Sequence, residues 1–252
     1  MSASTSSAAK SDYGIDAPAV LRNLFLFGGL CLLAGLFLPS VVHLGPVALN
    51  TRPSFLWPAF FLLAEAFLYL LYVKVGKFRH RDRMLAIHEW QGGESVLDVG
   101  CGCGLLLAGA AKRIRGLNGT GRATGIDIWS NTDMGGNSEA ATQKNLEIED
   151  VGQLCSLLSV PAQEMPFADA SFDVVVSNLC LHNIYDKDTR KLALQQIVRV
   201  LKPGGVAIIS DYKKTGEYAD AFGFMGLEVR RDRGGFLATF PPLTIVVAKK
   251  PL

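Results

Sequence analysis

The residues best equipped for chemistry begin with an acid and three glycines at alternate positions, in Val96-Leu97-Asp98-Val99-Gly100-Cys101-Gly102-Cys103-Gly104-Leu105-Leu106-Leu107. Glycine in such a turn admits positive φ and lets the backbone come close to a ligand laid across the end of a strand. A second acid, Asp127, closes the apolar stretch Gly125-Ile126-Asp127-Ile128-Trp129, where a carboxylate can accept from two hydroxyls at once. Further on lie His182, the only histidine after the glycine turn, and the pair Asp211-Tyr212. Imidazole, carboxylate and phenol are side chains that take or hold a proton. The spacing therefore describes a nucleoside ligand on the turn and a proton acceptor later in the chain.

A dinucleotide fingerprint, G-x-G-x-x-G, would need its third glycine at position 105, where Leu105 stands, which argues against NAD or FAD. The pattern D-x-G-x-G-x-G with a later acid at Asp127 resembles motif I and its successor in class I S-adenosylmethionine-dependent methyltransferases, over about residues 90–250. That resemblance implies a seven-stranded Rossmann-like α/β domain with S-adenosyl-L-methionine as cofactor. It implies cofactor contacts from Asp98, Gly100, Cys101 and Gly102 in the turn, from Asp127 to the ribose hydroxyls, and from Ile128 and Trp129 on adenine. Pro161-Ala162-Gln163-Glu164-Met165-Pro166-Phe167 is similar to the family's D-A-x-x-L-P-F segment, but Pro161 stands where an Asp commonly accepts from the adenine amino group. The resemblance then leaves the Ala162 amide for adenine N1, and either a substitute acceptor such as Gln163 or weaker cofactor binding in place of the missing Asp. Asn178, at the end of the apolar run Val174-Val175-Val176-Ser177, lies where the family flanks the transferred methyl group.

Methyl transfer from a sulfonium is an in-line displacement, so the protein positions the acceptor and, for a hydroxyl or an acidic carbon, removes a proton. His182 is the candidate base or orienting residue, with Asp211 and Tyr212 in second rank; a structural or cofactor-side role for His182 is equally compatible with its position.

Elements to carry these residues follow in order. Arg79 to Trp90 reads as a lead-in helix stopped by Gly92-Gly93, Ser95 to Val99 as the first strand, and Leu105 to Ile114 as the helix after the turn. Ala123 to Ile128 and Leu154 to Val160 are expected strands, separated by a polar loop, Asn131 to Asn137, and a helix, Ser138 to Ile148. Lys187 to Leu201 is amphipathic, and Arg199-Val200-Leu201-Lys202-Pro203-Gly204-Gly205, another landmark of the family, ends it before a strand over Val206 to Ser210. Leu227 to Arg231 and Leu243 to Lys249 are expected to close the sheet as an antiparallel hairpin, with Phe236 and Phe240 in the link facing a lipophilic substrate or a bilayer.

The N-terminal quarter differs in composition. Only 19% of the 252 residues are charged, net charge is +2, mean hydropathy is +0.26, and the apolar excess lies before residue 76. A basic stripe with interleaved aromatics is missing, which sets nucleic acid aside. Residues 1–22 read as a solvated tail, 23–76 as two transmembrane helices, and 77–252 as the methyltransferase domain. The first apolar run, Leu24 to Leu44, is about 21 residues, enough for a bilayer core roughly 30 Å thick; the second, Phe55 to Val73, holds Pro58 and Glu65. Lys74, Lys77, Arg79, Arg81 and Arg83 after the second run, against Arg52 alone in the loop, place both termini and the domain in the cytoplasm. For Glu65 a packing or oligomer contact is favoured over catalysis. The five cysteines form no C-x-x-C pair and read as reduced small residues, with no metal site expected.

The reading is methyl transfer to a small, lipophilic or membrane-associated acceptor, with the ubiquinone/menaquinone methyltransferases as a loose functional analogy, and oligomeric state left open. The alternative is a membrane-anchored protein that keeps the fold as a binding or scaffold module without transfer.

Overall fold

The computed structural model describes residues 10–130, 136–234 and 238–252. They divide into two compact units, one of residues 15–77 and one of residues 78–252 together with the segment up to Gly14.

The smaller unit is a helical hairpin. Helix α1 spans Pro18–Phe37 and α2 spans Thr51–Leu71, joined by a ribbon of β1 (Val41–Leu44) and β2 (Val47–Asn50) in antiparallel register around Gly45-Pro46. The first apolar run therefore does not remain helical to Leu44. Pro39 has no N–H to give the helix and forces Leu38 into the extended conformation observed there, φ −73° and ψ 153°. The expected boundary at residue 23 falls inside α1, and most of the expected tail, residues 1–9, lies outside the described residues. Gly28 and Gly35 let α1 meet Leu63 and Leu56 of α2 where a Cβ would collide, and Ala59 and Ala66 are buried opposite. The remaining apolar residues point outward, Leu26, Phe27, Leu30, Leu33, Phe61 and Phe67 each being more than half exposed. That excludes a buried core helix. Both helices are long and apolar enough to cross a membrane. Glu65 lies on the outward face of α2.

A π-helical turn, Tyr72–Gly76, leads from α2 into α3, Lys77–Leu85. This lead-in helix stops well before the expected Trp90. The reason is Trp90 itself, whose indole N–H donates to Leu85 O at 2.7 Å and so takes a carbonyl that a further turn would have used. Gly92-Gly93 serve a later bend.

The larger unit is a doubly wound sheet. Its strands are β3 (Ser95–Val99), β4 (Arg122–Asp127), β5 (Cys155–Ser159), β6 (Phe172–Asn178), β7 (Leu201–Asp211), β8 (Glu228–Arg233) and β9 (Thr244–Lys249). They lie in the order β5-β4-β3-β6-β7-β9-β8. The first five of that row are parallel; β9 runs antiparallel between β7 and β8. The order reverses between β3 and β6, and in open α/β sheets ligands bind at such a switch point, beyond the strands' carboxyl ends. Helices α4 (Leu105–Gly116), α5 (Glu139–Ile148), α6 (Lys187–Val200) and α7 (Thr215–Phe224) cover the faces. Alternation along β6 shows the layering. Val175 joins Leu194, Ile197 and Tyr218 on one side, while Val174 and Val176 join Met84, Leu85 and Leu107 on the other.

Two elements depart from the expected pattern. Strand β7 begins at Leu201, so the Pro-Gly-Gly stretch is an irregular start of the strand rather than a break before it, with a register shift between Phe172 and Val174 of its neighbour. Helix α7 was not anticipated: its sequence TGEYADAFGF is short and carries two glycines, which lower its helix propensity. At the carboxyl end of β7, His80 of α3 contacts Ser210 Oγ through Nε2 at 2.7 Å. Burial, with Arg83 nearby, pushes this imidazole down to about 4, so it stays neutral.

Candidate functional site

The turn after β3 needs its glycines. Gly100, Gly102 and Gly104 have φ of 72°, 50° and 84°, values that other residues adopt only at a penalty. A Cβ on Gly100 would in addition collide with Cys180 Sγ, on the chain leaving β6. The turn is tied to β4 at three points: Gly100 N and Cys101 N donate to Ile126 O at 2.8 and 3.1 Å, and Gly102 N donates to Asp127 Oδ2 at 2.8 Å. Asp127 Oδ1 accepts from Trp129 N at 2.7 Å, so this carboxylate also caps the bend after its own strand.

Beneath the turn, Asp98 is 1% exposed, and neither carboxyl oxygen has a hydrogen-bond partner among the described residues. Burial pushes its pKa up to about 8, against the pull of the Leu107 amide and with a further push from Asp127. The thiols around it are held up as well, Cys101 and Cys180 by burial and by the charges of Asp98 and Asp127, and Cys155 to about 12 by burial and Asp98. Across the switch point, the side-chain oxygen of Asn178 is likewise buried and unpartnered. Buried acceptors without donors are costly. This set fits a ligand that brings N–H donors and positive charge.

The exits of β6 and β7 carry the second constellation. His182, on a 3-10 turn (Leu181–Asn183), places Nδ1 2.8 Å from Asp211 Oδ1. The ring nitrogen makes no in-line hydrogen bond to that oxygen, so this is a close polar contact between the two side chains. Asp211 is fully buried and accepts from Tyr212 N at 2.9 Å, from His182 N at 3.2 Å and from Tyr218 Oη at 3.2 Å. The Tyr212 ring meets the imidazole edge-on at 4.7 Å, and Lys214 Nζ donates to His182 O at 3.2 Å. Three residues ranked separately in the sequence are thus one cluster. Tyr218 and Lys214 were missed, since their element was not anticipated.

The expected adenine side is looser. Ile128 is 66% exposed. Trp129, at φ 56°, donates its indole N–H to Ser159 Oγ at 2.6 Å, and Ser159 donates to Glu139. Ala162 and Gln163 lie in the turn after β5, with Ala162 packed on the core beside Leu158 and Val160. Residues 131–135 of the polar loop and Phe236 lie outside the described residues. A groove of about 540 Å³ between His88, Gln91, Gly204 and Arg230 contains none of the residues named in this site.

Residues 97–209 match the family model described as a methyltransferase domain. Among curated proteins, the chain is 34% identical over 122 residues to the sterol 4-C-methyltransferase strm-1 of Caenorhabditis elegans, covering 48% of this chain and 32% of that protein. It is 34% identical over 128 residues to a demethylmenaquinone methyltransferase of Staphylococcus aureus, covering 51% and 47%. The chain thus spans at most about half the length of these relatives. Among solved structures, the N-methyltransferase NodS of Bradyrhizobium japonicum, in complex with S-adenosyl-L-homocysteine, superposes with a TM-score of 0.55 at 15% identity, over 71% of this chain and 89% of that one, a likeness of fold.

Proposed function

Since the chain belongs to the class I S-adenosylmethionine-dependent methyltransferases through its Rossmann-like domain, we propose that it transfers a methyl group from S-adenosyl-L-methionine to a small lipophilic acceptor. The observation that carries this is the set of unpartnered buried acceptors, Asp98 and Asn178, on either side of a glycine turn at the switch point of the sheet. When bound, the cofactor supplies an electrophilic methyl group on a sulfonium. Asp98 and Asn178 would accept from its ammonium group, Gly100, Cys101 and Gly102 would admit its amino-acid part to the turn, and Asp127 would take the ribose hydroxyls. Ile128, Ala162 and Gln163 border adenine.

His182 holds the acceptor and takes its proton on Nε2, while Asp211 orients the ring and steadies the imidazolium through Nδ1. Tyr212 forms one wall. The lipophilic class is supported by the relatives named for sterol and demethylmenaquinone substrates and by the outward-facing apolar hairpin, which we assign to a membrane as two spans. Lys74 and Arg79 at its exit, against Arg52 in the first turn of α2 beside the ribbon, put the domain and both termini on the cytoplasmic side. Arg81 and Arg83 are engaged by Asp82 and Asp232 and carry less of that signal.

The test is calorimetric titration of the detergent-solubilised chain with S-adenosyl-L-methionine, followed by transfer of labelled methyl to sterol and quinol acceptors. Micromolar binding and a labelled lipid product are expected. Binding without transfer to any acceptor would favour the scaffold reading, and a folded protein that binds neither the cofactor nor its demethylated product would overturn the assignment.

A further inference from the structure

Helix α5 presents two buried polar side chains to the back of the glycine turn. Thr142, fully buried, donates its hydroxyl to Gly102 O at 2.6 Å. Asn145, one turn on and 3% exposed, donates Nδ2 to Cys103 O at 3.0 Å. The same amide is paired on its other side with the main chain of residue 12: Nδ2 donates to Asp12 O at 2.7 Å, and Oδ1 accepts from Asp12 N at 2.9 Å. It thereby offers residue 12 the two-bond pairing that a strand would offer.

The segment around residue 12 is clasped at further points. Glu149 accepts from Ser11 Oγ at 2.5 Å and from Tyr13 Oη at 2.9 Å, and pairs with Lys112 of α4. Burial alone would raise the Glu149 pKa, yet the donors Lys112, Ser11 and Tyr13 bring it down to about 2. The Tyr13 ring, 5% exposed, meets Phe78 edge-on at 5.8 Å. A segment of five residues with this many partners is a built contact. An apolar residue at 145 would have served a buried helix face equally well, without reaching either the segment or the turn.

We propose that Asn145 is a positioning residue for the glycine turn and that docking of residues 10–14 sets how tightly that turn holds its ligand; this rests on the reading that the turn binds S-adenosyl-L-methionine. With the segment docked, the Asn145 amide is locked in one orientation and Cys103 O keeps its donor. With it undocked, the buried amide loses two bonds, and the turn loses the support that fixes its second half. Such coupling is reciprocal, so the ligand tightens the segment as much as the segment tightens the ligand.

The experiment is titration of the full chain in detergent with S-adenosyl-L-homocysteine, for the wild type, Asn145→Ala, and the double variant Ser11→Ala/Tyr13→Ala, which touches the segment but not the turn. The double variant should bind about 5–20-fold more weakly. Adding Asn145→Ala to it should weaken binding no further than Asn145→Ala alone, because both act through one path. In wild type the ligand should also slow hydrogen exchange at the Asp12 amide, and in Asn145→Ala it should not. Wild-type binding with the double variant within twofold, and no ligand effect at Asp12, overturns the coupling while leaving the cofactor reading intact. No wild-type binding overturns the reading beneath it. Should Asn145→Ala fail to fold, the segment variant and the exchange of Asp12 still decide.

Discussion

Around Asp211 each carboxyl oxygen has protein partners, whereas neither oxygen of Asp98 has one in hydrogen-bonding geometry among the described residues, although both acids are buried at the carboxyl ends of neighbouring parts of one sheet. Tyr212 N, Tyr218 Oη and His182 hold Asp211 in place without any ligand. Asp98 and Asn178 instead present buried oxygens that no donor among the described residues meets in hydrogen-bonding geometry. One half of the site is held by the protein's own groups, and the other is the half that we propose a ligand completes. Preorganisation belongs where charge moves during reaction, since a base that had to be assembled would add its reorganisation to the barrier. An unfinished half belongs where a ligand must be recognised, since its own groups then supply the missing bonds.

That contrast can be broken from either side. The largest effect is expected at the finished half: Asp211→Asn keeps the shape but removes the charge facing His182, and should lower kcat about 10²–10⁴-fold while leaving cofactor affinity within twofold. Equal losses in both, measured by single-turnover transfer and calorimetry, would show the two halves to be one. Next, Asp127→Ala removes both the cap on Gly102 and the proposed ribose acceptor and should weaken cofactor binding about 100-fold, close to 2.7 kcal/mol. The third variant, Gly100→Ala, should weaken binding about tenfold through its collision with Cys180. Adding Cys180→Gly, which removes both the Sγ and the Cβ that the new methyl would strike, should recover part of that loss and leave the penalty for positive φ, about 1–2 kcal/mol; no recovery would place the strain elsewhere.

The smallest effect is a proton. Asp98 is held up to about 8 from an ordinary 3.8, so the free protein keeps it neutral at pH 7. A cationic ligand ionises it, and up to about one proton should leave, read as a binding enthalpy that varies with the buffer's ionisation enthalpy. The sign for stability follows. A raised pKa favours the folded state below the unfolded value, so the ligand-free protein should lose melting temperature as pH rises from about 4 to about 8. Asp98→Asn should flatten both dependences, and an unchanged slope would mean that Asp98 has a counter-charge.

How much of this was legible depended on range. Strand Ser95–Val99 stood where alternation and the following glycines put it, and Ser138 caps α5 as a serine before a helical run should. Positions that failed had distant causes. Trp90 ends α3 by reaching back to Leu85. Pro39 was visible, but the ribbon after it needed β2 as a partner. Tyr218 could not be assigned to the site because only the packing of its helix beside the end of β7 brings its hydroxyl to Asp211.

The sequence by itself determined the glycine turn, the acid at 127, the order of strands and helices that carry them, and the apolar hairpin before the domain, all of them properties of neighbours within a few residues. Only the tertiary structure decided that Asp211 meets His182 across 29 residues, that Asp98 is left without a donor, and that Asn145 joins residue 12 to the turn across 133. Those pairings depend on β6 lying beside β7 and on which polar atoms burial leaves unpaired, and neither is written in any local stretch of the chain.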